Sequence, residues 1–473
     1  MPMYHTNKET HTLGGKTMQL QTLLENINSI LWGPIMLILL VGTGVLFTIR
    51  LRGLQVRKFT MAFKQTFGGM FKKSQADEDG MSSFQALATA IAAQVGTGNL
   101  AGVATAIALG GPGAIFWMWV SGFFGMATIF AEAVLAQLHT EKRDGEITGG
   151  PAYYIKNGLG SKGLAVFFAV SIILALGFMG NMVQSSSIAE AVYAAFEIPN
   201  VVTGVVIAFL VGLIILGGIS RIASFTEKIV PIMAGFYIAG SLAIIIMHAD
   251  MILPAFEMIF VGAFNPKAAT GGVIGVGLKE SLRYGVARGV FSNEAGMGST
   301  PHAHAVAKVK HPAEQGLVSI MGVVIDTGIV CTLTALVILT TNALPTGLFG
   351  AQLTQEGFTI GFGNFGTTFI AICLFFFSLS TIIGWHYFAE ANVKYLVGKK
   401  GVPVFRLFVL ICIVFGTTMS AEIVWELADV FNGLMIIPNL IALLGLSSLV
   451  IKVANDYEGP FLHHKASTYE NKR

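Results

Sequence analysis

Two strings in this sequence place chemistry-bearing residues where an apolar run would not otherwise carry them. The first is Gln94-Val95-Gly96-Thr97-Gly98-Asn99, and the second runs from Gly289 through Phe291, Ser292, Asn293, Glu294, Gly296 and Gly298 to Pro301. Each combines glycines that disfavour helix with hydroxyl, amide or acid groups, and each interrupts a segment of membrane-spanning length. Irregular backbone at membrane depth is tolerated only where protein or a water-filled cavity satisfies its polar groups. The chemistry such residues offer is non-covalent. Half-helix N-termini attract a carboxylate, and freed carbonyls with side-chain oxygens hold a small hard cation. Two interruptions therefore imply one shared site for an ion and an anionic or zwitterionic solute.

Other candidate chemistries are weaker. There is no nucleophile elbow, HExxH helix, paired-carboxylate motif or P-loop, so neither an enzyme nor an ATP-driven pump is expected. Cys331, Cys373 and Cys412 sit in apolar runs and form no spaced metal set. His302 and His304 lie at a span end without a third ligand nearby, so no transition metal and no cofactor is expected. Among intramembrane acids, Asp326 lies near the middle of its span, and it reads either as an ion-coupling group or as a hydrogen-bonded structural acid. Glu294 reads as a structural acid capping freed N–H groups. Glu132, Glu190 and Glu390 lie nearer span ends, where solvated or helix-pairing roles are expected.

The elements that must position these residues follow from composition. Of 473 residues, 54% are hydrophobic and 12% charged, with a mean hydropathy of +0.71. A soluble domain carries about 25% charge, so the chain reads as an all-α polytopic membrane protein. A net charge of +3, without a block of basic residues, excludes nucleic acid as a partner. Apolar runs of spanning length occur at 30–49, 83–109, 113–138, 163–195, 200–217, 222–247, 272–300, 314–341, 364–393, 403–420 and 427–451. Residues 1–28 read as a polar, irregular tail, and 251–264 and 345–362 as interfacial segments in loops.

Charge supports this count of eleven. Loops on one side carry Arg50, Arg57, Lys72, Lys73, Lys142, Arg143, Lys228, Lys310, Lys399, Arg406 and Lys465, among others, and the opposite side only Lys8, Lys16 and Lys267. Cytoplasmic loops retain Lys and Arg, which places the N-terminus outside and the C-terminus inside. Lys279, Arg283 and Arg288 lie at the outer part of the seventh run, and Arg288 is a candidate for an external gate with an acid from another span. Setting aside the first run (29–50), the interrupted helices open spans two to six (83–250) and seven to eleven (270–452), ahead of a tail at 453–473. Corresponding interruptions in two halves point to a transporter of inverted repeats.

The residues also resemble a known family. The string GGPGAIFWMWVSGFFG at 110–125 closely resembles the signature of the alanine or glycine:cation symporters, and GTGNLAG at 96–102 and GVFSNEAGMGSTPHAHA at 289–305 are similar to that family too. The resemblance covers nearly the whole chain. It implies a leucine-transporter-type 5+5 inverted repeat preceded by one extra helix, and sodium-coupled uptake of alanine or glycine by alternating access across a bacterial or archaeal plasma membrane. It further implies a substrate site of Thr97, Gly98, Asn99, Gln184, Val290, Phe291, Ser292 and Trp385. A first cation group would use Ala92, Val95, Ser380 and Thr381, and a second would draw on Gln94, Asn99 and Ser292, with Asp326 as a further candidate. Glutamine or serine as substrate, or proton coupling, remain alternatives, as does a passive channel from a different class.

Overall fold

A computed structural model describes residues 8–68, 80–143, 145–265, 277–419, 421–463 and 467–469. Lys72, Lys73, Lys267, Lys465 and the stretch 272–276 of the seventh run lie outside them. A helix occupies every one of the eleven expected positions. After an N-terminal helix α1 (Lys8–Leu31) come α2 (Pro34–Arg50), the broken pair α3 (Ser83–Gln94) and α4 (Val103–Gly110), and α5 (Ala114–Leu138). A short hairpin, β1 (Glu141–Arg143) with β2 (Glu146–Thr148), leads to α6 (Lys162–Phe196), α7 (Asn200–Ile215) and α8 (Gly218–Met247). Beyond α8 follow α9 (Ile252–Phe264), α10 (Leu278–Asn293), α11 (Pro301–Ala305), α12 (Pro312–Thr340), α13 (Gly350–Phe362), α14 (Asn364–Val397), α15 (Val402–Gly416), α16 (Ala421–Gly445) and α17 (Ser447–Asp456), and shorter helices at Leu54–Arg57, Phe59–Gly68 and Pro151–Gly158 lie in the connections before α8.

By length and apolarity six of these helices are full spans, or up to eight if each bent pair is one span. The other three expected spans are shorter. α7 and α10 have 16 residues each and α15 has 15, which at 1.5 Å per residue falls just short of the hydrocarbon core. Exposed Phe209, Ile232, Phe236, Leu253, Phe408 and Ile411 give the outer surface the apolar character that lipid requires.

α5 packs most extensively on α12 and α10, and α4 on α10, while α6 packs most on α14 and α16, and α7 on α15. α3 joins both sides, with its largest contacts on α8 and α14 and further ones on α12 and α11. Small residues allow the close approach: a Cβ on Gly285 would stand 2.3 Å from the Ala114 carbonyl oxygen, and one on Gly289 2.8 Å from Ser121 Oγ.

The N-terminal segment differs from the irregular tail expected at 1–28. It is helical from Lys8, because Leu24, Asn28 and Trp32, four residues apart, form one buried face against α16. A bend of 41° at Gly33 and Pro34 then turns the chain into α2. Of the two expected interfacial segments, 251–264 coincides with α9 and 345–362 contains α13.

Candidate functional site

The first interruption falls where its glycines and polar residues stand. α3 ends at Gln94, Val95 adopts extended backbone, and the chain re-enters helix through a wide π turn at Gly98–Gly102, with a 50° bend across the break. Freed backbone groups find specific partners. Asn99 Oδ1 accepts the Gly96 N–H at 2.8 Å, and Gln184 Oε1 on α6 accepts the Thr97 N–H at 3.1 Å. On α14, the Thr381 hydroxyl lies 3.0 Å from the Ala92 carbonyl oxygen and 3.2 Å from that of Val95, and Ser380 Oγ is 3.4 Å from the Ala92 oxygen. Four oxygens thus converge, a donor set that suits a hard alkali cation.

The second interruption is shorter than the string Gly289–Pro301. Helix α10 continues through Asn293, and the irregular backbone spans only Glu294 to Thr300, with Glu294, Gly296 and Gly298 at positive φ. Val290, Phe291 and Ser292 therefore present from a final helical turn rather than from unwound chain. Glycines at 285 and 289 serve close helix packing there, so they do not break α10.

A buried acid network holds this second break. Glu132 on α5 accepts the N–H groups of Gly296 and Gly298 at 3.1 and 3.0 Å, and Asn439 on α16 donates to it at 2.6 Å while also donating to the Gly296 carbonyl. Glu294 accepts from Trp385 Nε1 at 2.5 Å and from Ser299 Oγ. Glu294, expected to cap freed N–H groups, accepts from these two side chains instead, and the backbone N–H groups of the turn are capped by Glu132. Glu132, expected in a solvated or pairing role, is fully buried and carries the larger share of the turn. Nothing local marks it, because its partners are more than 160 residues away in the chain.

The two breaks meet at Asp326. Its carboxylate accepts from Asn99 Nδ2 at 2.5 Å, from Ser292 Oγ at 2.8 Å and from Thr327 Oγ1 at 2.7 Å, and it lies on a π-helical segment, Val324–Cys331, within α12. Wide turns of this kind occur frequently at functional sites. The Gln94 side-chain amide donates to the Asn293 carbonyl at 2.6 Å, and its own Oε1 is buried without a hydrogen bond to the described residues.

All eight expected substrate residues are buried. Phe291 stands edge-on to Trp385 with ring centroids 6.0 Å apart and lies 5.0 Å from Trp425, forming an aromatic wall on one side. Above it Arg288 lies over Trp425 and makes a two-point ion pair with Asp429 on α16, at 3.1 and 2.8 Å. Asp429 is thus the acid that an Arg288 gate requires. Thr97 Oγ1, at the head of the first break, is buried and makes no hydrogen bond to the described residues. Farther along, His302 uses both ring nitrogens on the Ser299 carbonyl and Asn392, and His304 Nδ1 faces Gln315.

Relatives share this arrangement of sequence. The sodium/alanine symporter AgcS of Methanococcus maripaludis is 46% identical over 92% of this chain and 96% of its own. A Bacillus subtilis protein described as a probable sodium/glutamine symporter, GlnT, is 40% identical over 93% and 91% respectively. A crystal structure of a manganese transporter from Eremococcus coleocola superposes with a TM-score of 0.50 at 17% identity, covering 85% of this chain and 86% of that one. That likeness bears on the fold alone and agrees with an all-α polytopic chain of the leucine-transporter type. These relatives are transporters, not enzymes. Residues 17–471 match the sodium:alanine symporter family, and the chain belongs to that family.

Proposed function

We propose that this protein carries a small neutral amino acid, alanine or glycine, into the cell together with sodium. Thr97, Gly98, Asn99, Gln184, Val290, Phe291, Ser292 and Trp385 are the proposed substrate contacts. The observation that carries this reading is the Thr97 hydroxyl in the first break, buried without a hydrogen-bond partner among the described residues. An unmade buried hydrogen bond costs about 1–3 kcal/mol, a cost that a bound zwitterion removes. In this reading the Phe291 and Trp385 rings form the apolar wall against the substrate side chain.

Sodium enters this scheme through oxygen. Ala92 and Val95 carbonyls with Ser380 and Thr381 hydroxyls form the first proposed cation group; Asn99, Ser292 and Asp326 form the second, adjacent to the substrate carboxylate. Because α5 packs with α10 and α12, and α6 with α14 and α15, rocking of the first set against the second around the breaks supplies alternating access in this scheme. A cation held at the joint between α3 and α14 favours the arrangement in which these helices lie together, and this links ion binding to closure.

The proposed setting is a bacterial or archaeal plasma membrane, with repeats at 83–250 and 270–452, the N-terminus outside and the C-terminus cytoplasmic. Cations at the C-terminal end support it: Lys156 pairs with Glu141, Lys394 and Lys399 with Glu146, and Arg406 with Glu390. A second reading, proton coupling, is favoured by one group, the Asp326 carboxylate between the breaks. Uptake of labelled L-alanine into proteoliposomes tests both. Accumulation driven by an inward sodium gradient, absent in equimolar potassium, supports sodium symport; accumulation driven only by a proton gradient replaces it with proton coupling. Equilibration without accumulation would indicate a channel.

A further inference from the structure

The mouth above the aromatic wall is built partly by the N-terminal helix, which lies outside both five-helix halves. A cavity of about 290 Å³ opens there, lined by Gln21 and Glu25 of α1, Glu190 of α6, Phe349 ahead of α13, and Arg288 and Trp425. Arg288, which pairs with Asp429, is part of its lining, as is Glu426 of the same helix turn as Asp429. Two buried α1-side residues bond the helix turn that carries this pair. The Trp32 indole N–H donates to the Asp429 carbonyl at 3.0 Å, and the Asn28 amide donates to the carbonyl and carboxylate of Glu426 at 2.9 and 2.5 Å. α1 reaches α16 closely because Gly433 faces it: a Cβ there would stand 3.2 Å from that of Leu31.

From this geometry we infer that Asn28 and Trp32 are positioning residues of the gate, and that α1 holds the mouth shut by fixing Glu426 and Asp429 where Arg288 meets them. Asp429 is gripped from two sides, its carboxylate by Arg288 and its carbonyl by Trp32. Access to the breaks from this face requires the outer part of α16 to part from α10, and this movement cannot leave both grips intact. Contacts made in the closed arrangement and lost in the open one shift the balance between them by their own free energy. The inference rests on the transport reading only in taking the breaks as the buried site; it does not depend on which solute is carried.

Cys331 supplies a native reporter, since its sulfur lies beneath the gate, 3.3 Å from Asn99 Nδ2 and 3.4 Å from Ser292 Oγ. In a Cys373→Ala, Cys412→Ala background, the rate at which a small membrane-impermeant methanethiosulfonate modifies Cys331 is measured from each face, in intact cells and in inside-out vesicles. Trp32→Phe keeps the ring and removes the donor. It should raise the rate about five-fold on the face that carries α1, the size expected for one net hydrogen bond, while lowering both KM and kcat of uptake. Asn28→Asp sets two carboxylates against each other and should do the same. Adding Glu426→Gln restores the side-chain donor–acceptor pair in reverse and should lower the rate again, short of its starting value because the Glu426 carbonyl has still lost its donor. Rates unchanged on both faces in Trp32→Phe and Asn28→Asp would overturn the inference, as would equal increases on both faces. Labelling reads the conformation without substrate, so failure to transport alanine would overturn the proposed substrate and leave this test intact.

Discussion

Gly98 faces Ser292 so closely that a Cβ built on Gly98 would stand 3.0 Å from the Ser292 Cα. The two interrupted segments, nearly 200 residues apart in sequence, touch here through the absence of a side chain. Gly98→Ala should therefore push α10 away from the first break. The expected result is a fall in transport rate of at least about ten-fold, with normal amounts of protein in the membrane. Wild-type kinetics in that variant would show that the contact does not matter to the cycle. Gly96→Ala acts on a different partner, since its Cβ would stand 2.3 Å from Thr381 Oγ1, and should raise the sodium concentration needed for half-maximal uptake.

Thr97 allows binding to be separated from folding. Its hydroxyl has no hydrogen-bond partner among the described residues, so Thr97→Val, which keeps the branched shape, removes no hydrogen bond seen in the fold. Melting temperature in detergent should hold or rise, while KM for alanine increases about ten-fold or more, the size of one lost hydrogen bond to a charged group. A lowered melting temperature with unchanged KM would assign the hydroxyl to structure instead.

Glu132 should show the opposite pattern. Glu132→Ala leaves the N–H groups of Gly296 and Gly298 and the Asn439 amide facing a cavity, and each unsatisfied buried donor costs about 1–3 kcal/mol. We expect a loss of stability of roughly 3 kcal/mol or more, read as a fall in thermal midpoint, with substrate protection against unfolding also weakened. Glu132→Gln, which keeps one acceptor oxygen, should fall between. A midpoint unchanged in Glu132→Ala would mean that the turn at 294–300 holds without it.

Glu132 also shows where the sequence stops being informative. Long apolar runs mark helices because lipid demands them, and all eleven are legible. The first break is legible as well, since Gly96 and Gly98 stand there with no other packing duty that composition would suggest. The second break is displaced because Gly289 looks alike in sequence to Gly296 and Gly298; the first faces Ser121 across a helix contact, and the latter two adopt positive φ. Only tertiary neighbours distinguish these duties. α1 is missed for a related reason: its polar composition conceals a face of Leu24, Asn28 and Trp32 that pays off only against α16. Glu132 and the Arg288–Asp429 pair depend on partners 164 and 141 residues away, a separation no local pattern encodes.

The joint between α3 and α14 yields a test of the first cation group. Ser380→Ala with Thr381→Ala deletes two of four oxygens and should raise the sodium concentration for half-maximal uptake about ten-fold or more, with the alanine KM changing only at low sodium. The carbonyls of Ala92 and Val95 remain, so weak binding persists. An unaltered sodium curve would remove this group from the coupling mechanism.

Asp326 distinguishes sodium from proton coupling more directly. As a carboxylate it accepts from Asn99, Ser292 and Thr327, and it can also supply the negative charge that a cation beside Asn99 and Ser292 needs. Asp326→Asn keeps the volume and removes the charge. If Asp326 binds sodium, this variant should lose sodium-driven accumulation while retaining slow exchange of labelled for unlabelled alanine, because exchange needs the site but not net ion movement. If instead Asp326 carries a proton across, the variant should become insensitive to an imposed proton gradient and keep its sodium response. Retention of both responses would leave Asp326 the structural role of tying α12 to the two breaks, and its loss would then register in the melting temperature alone.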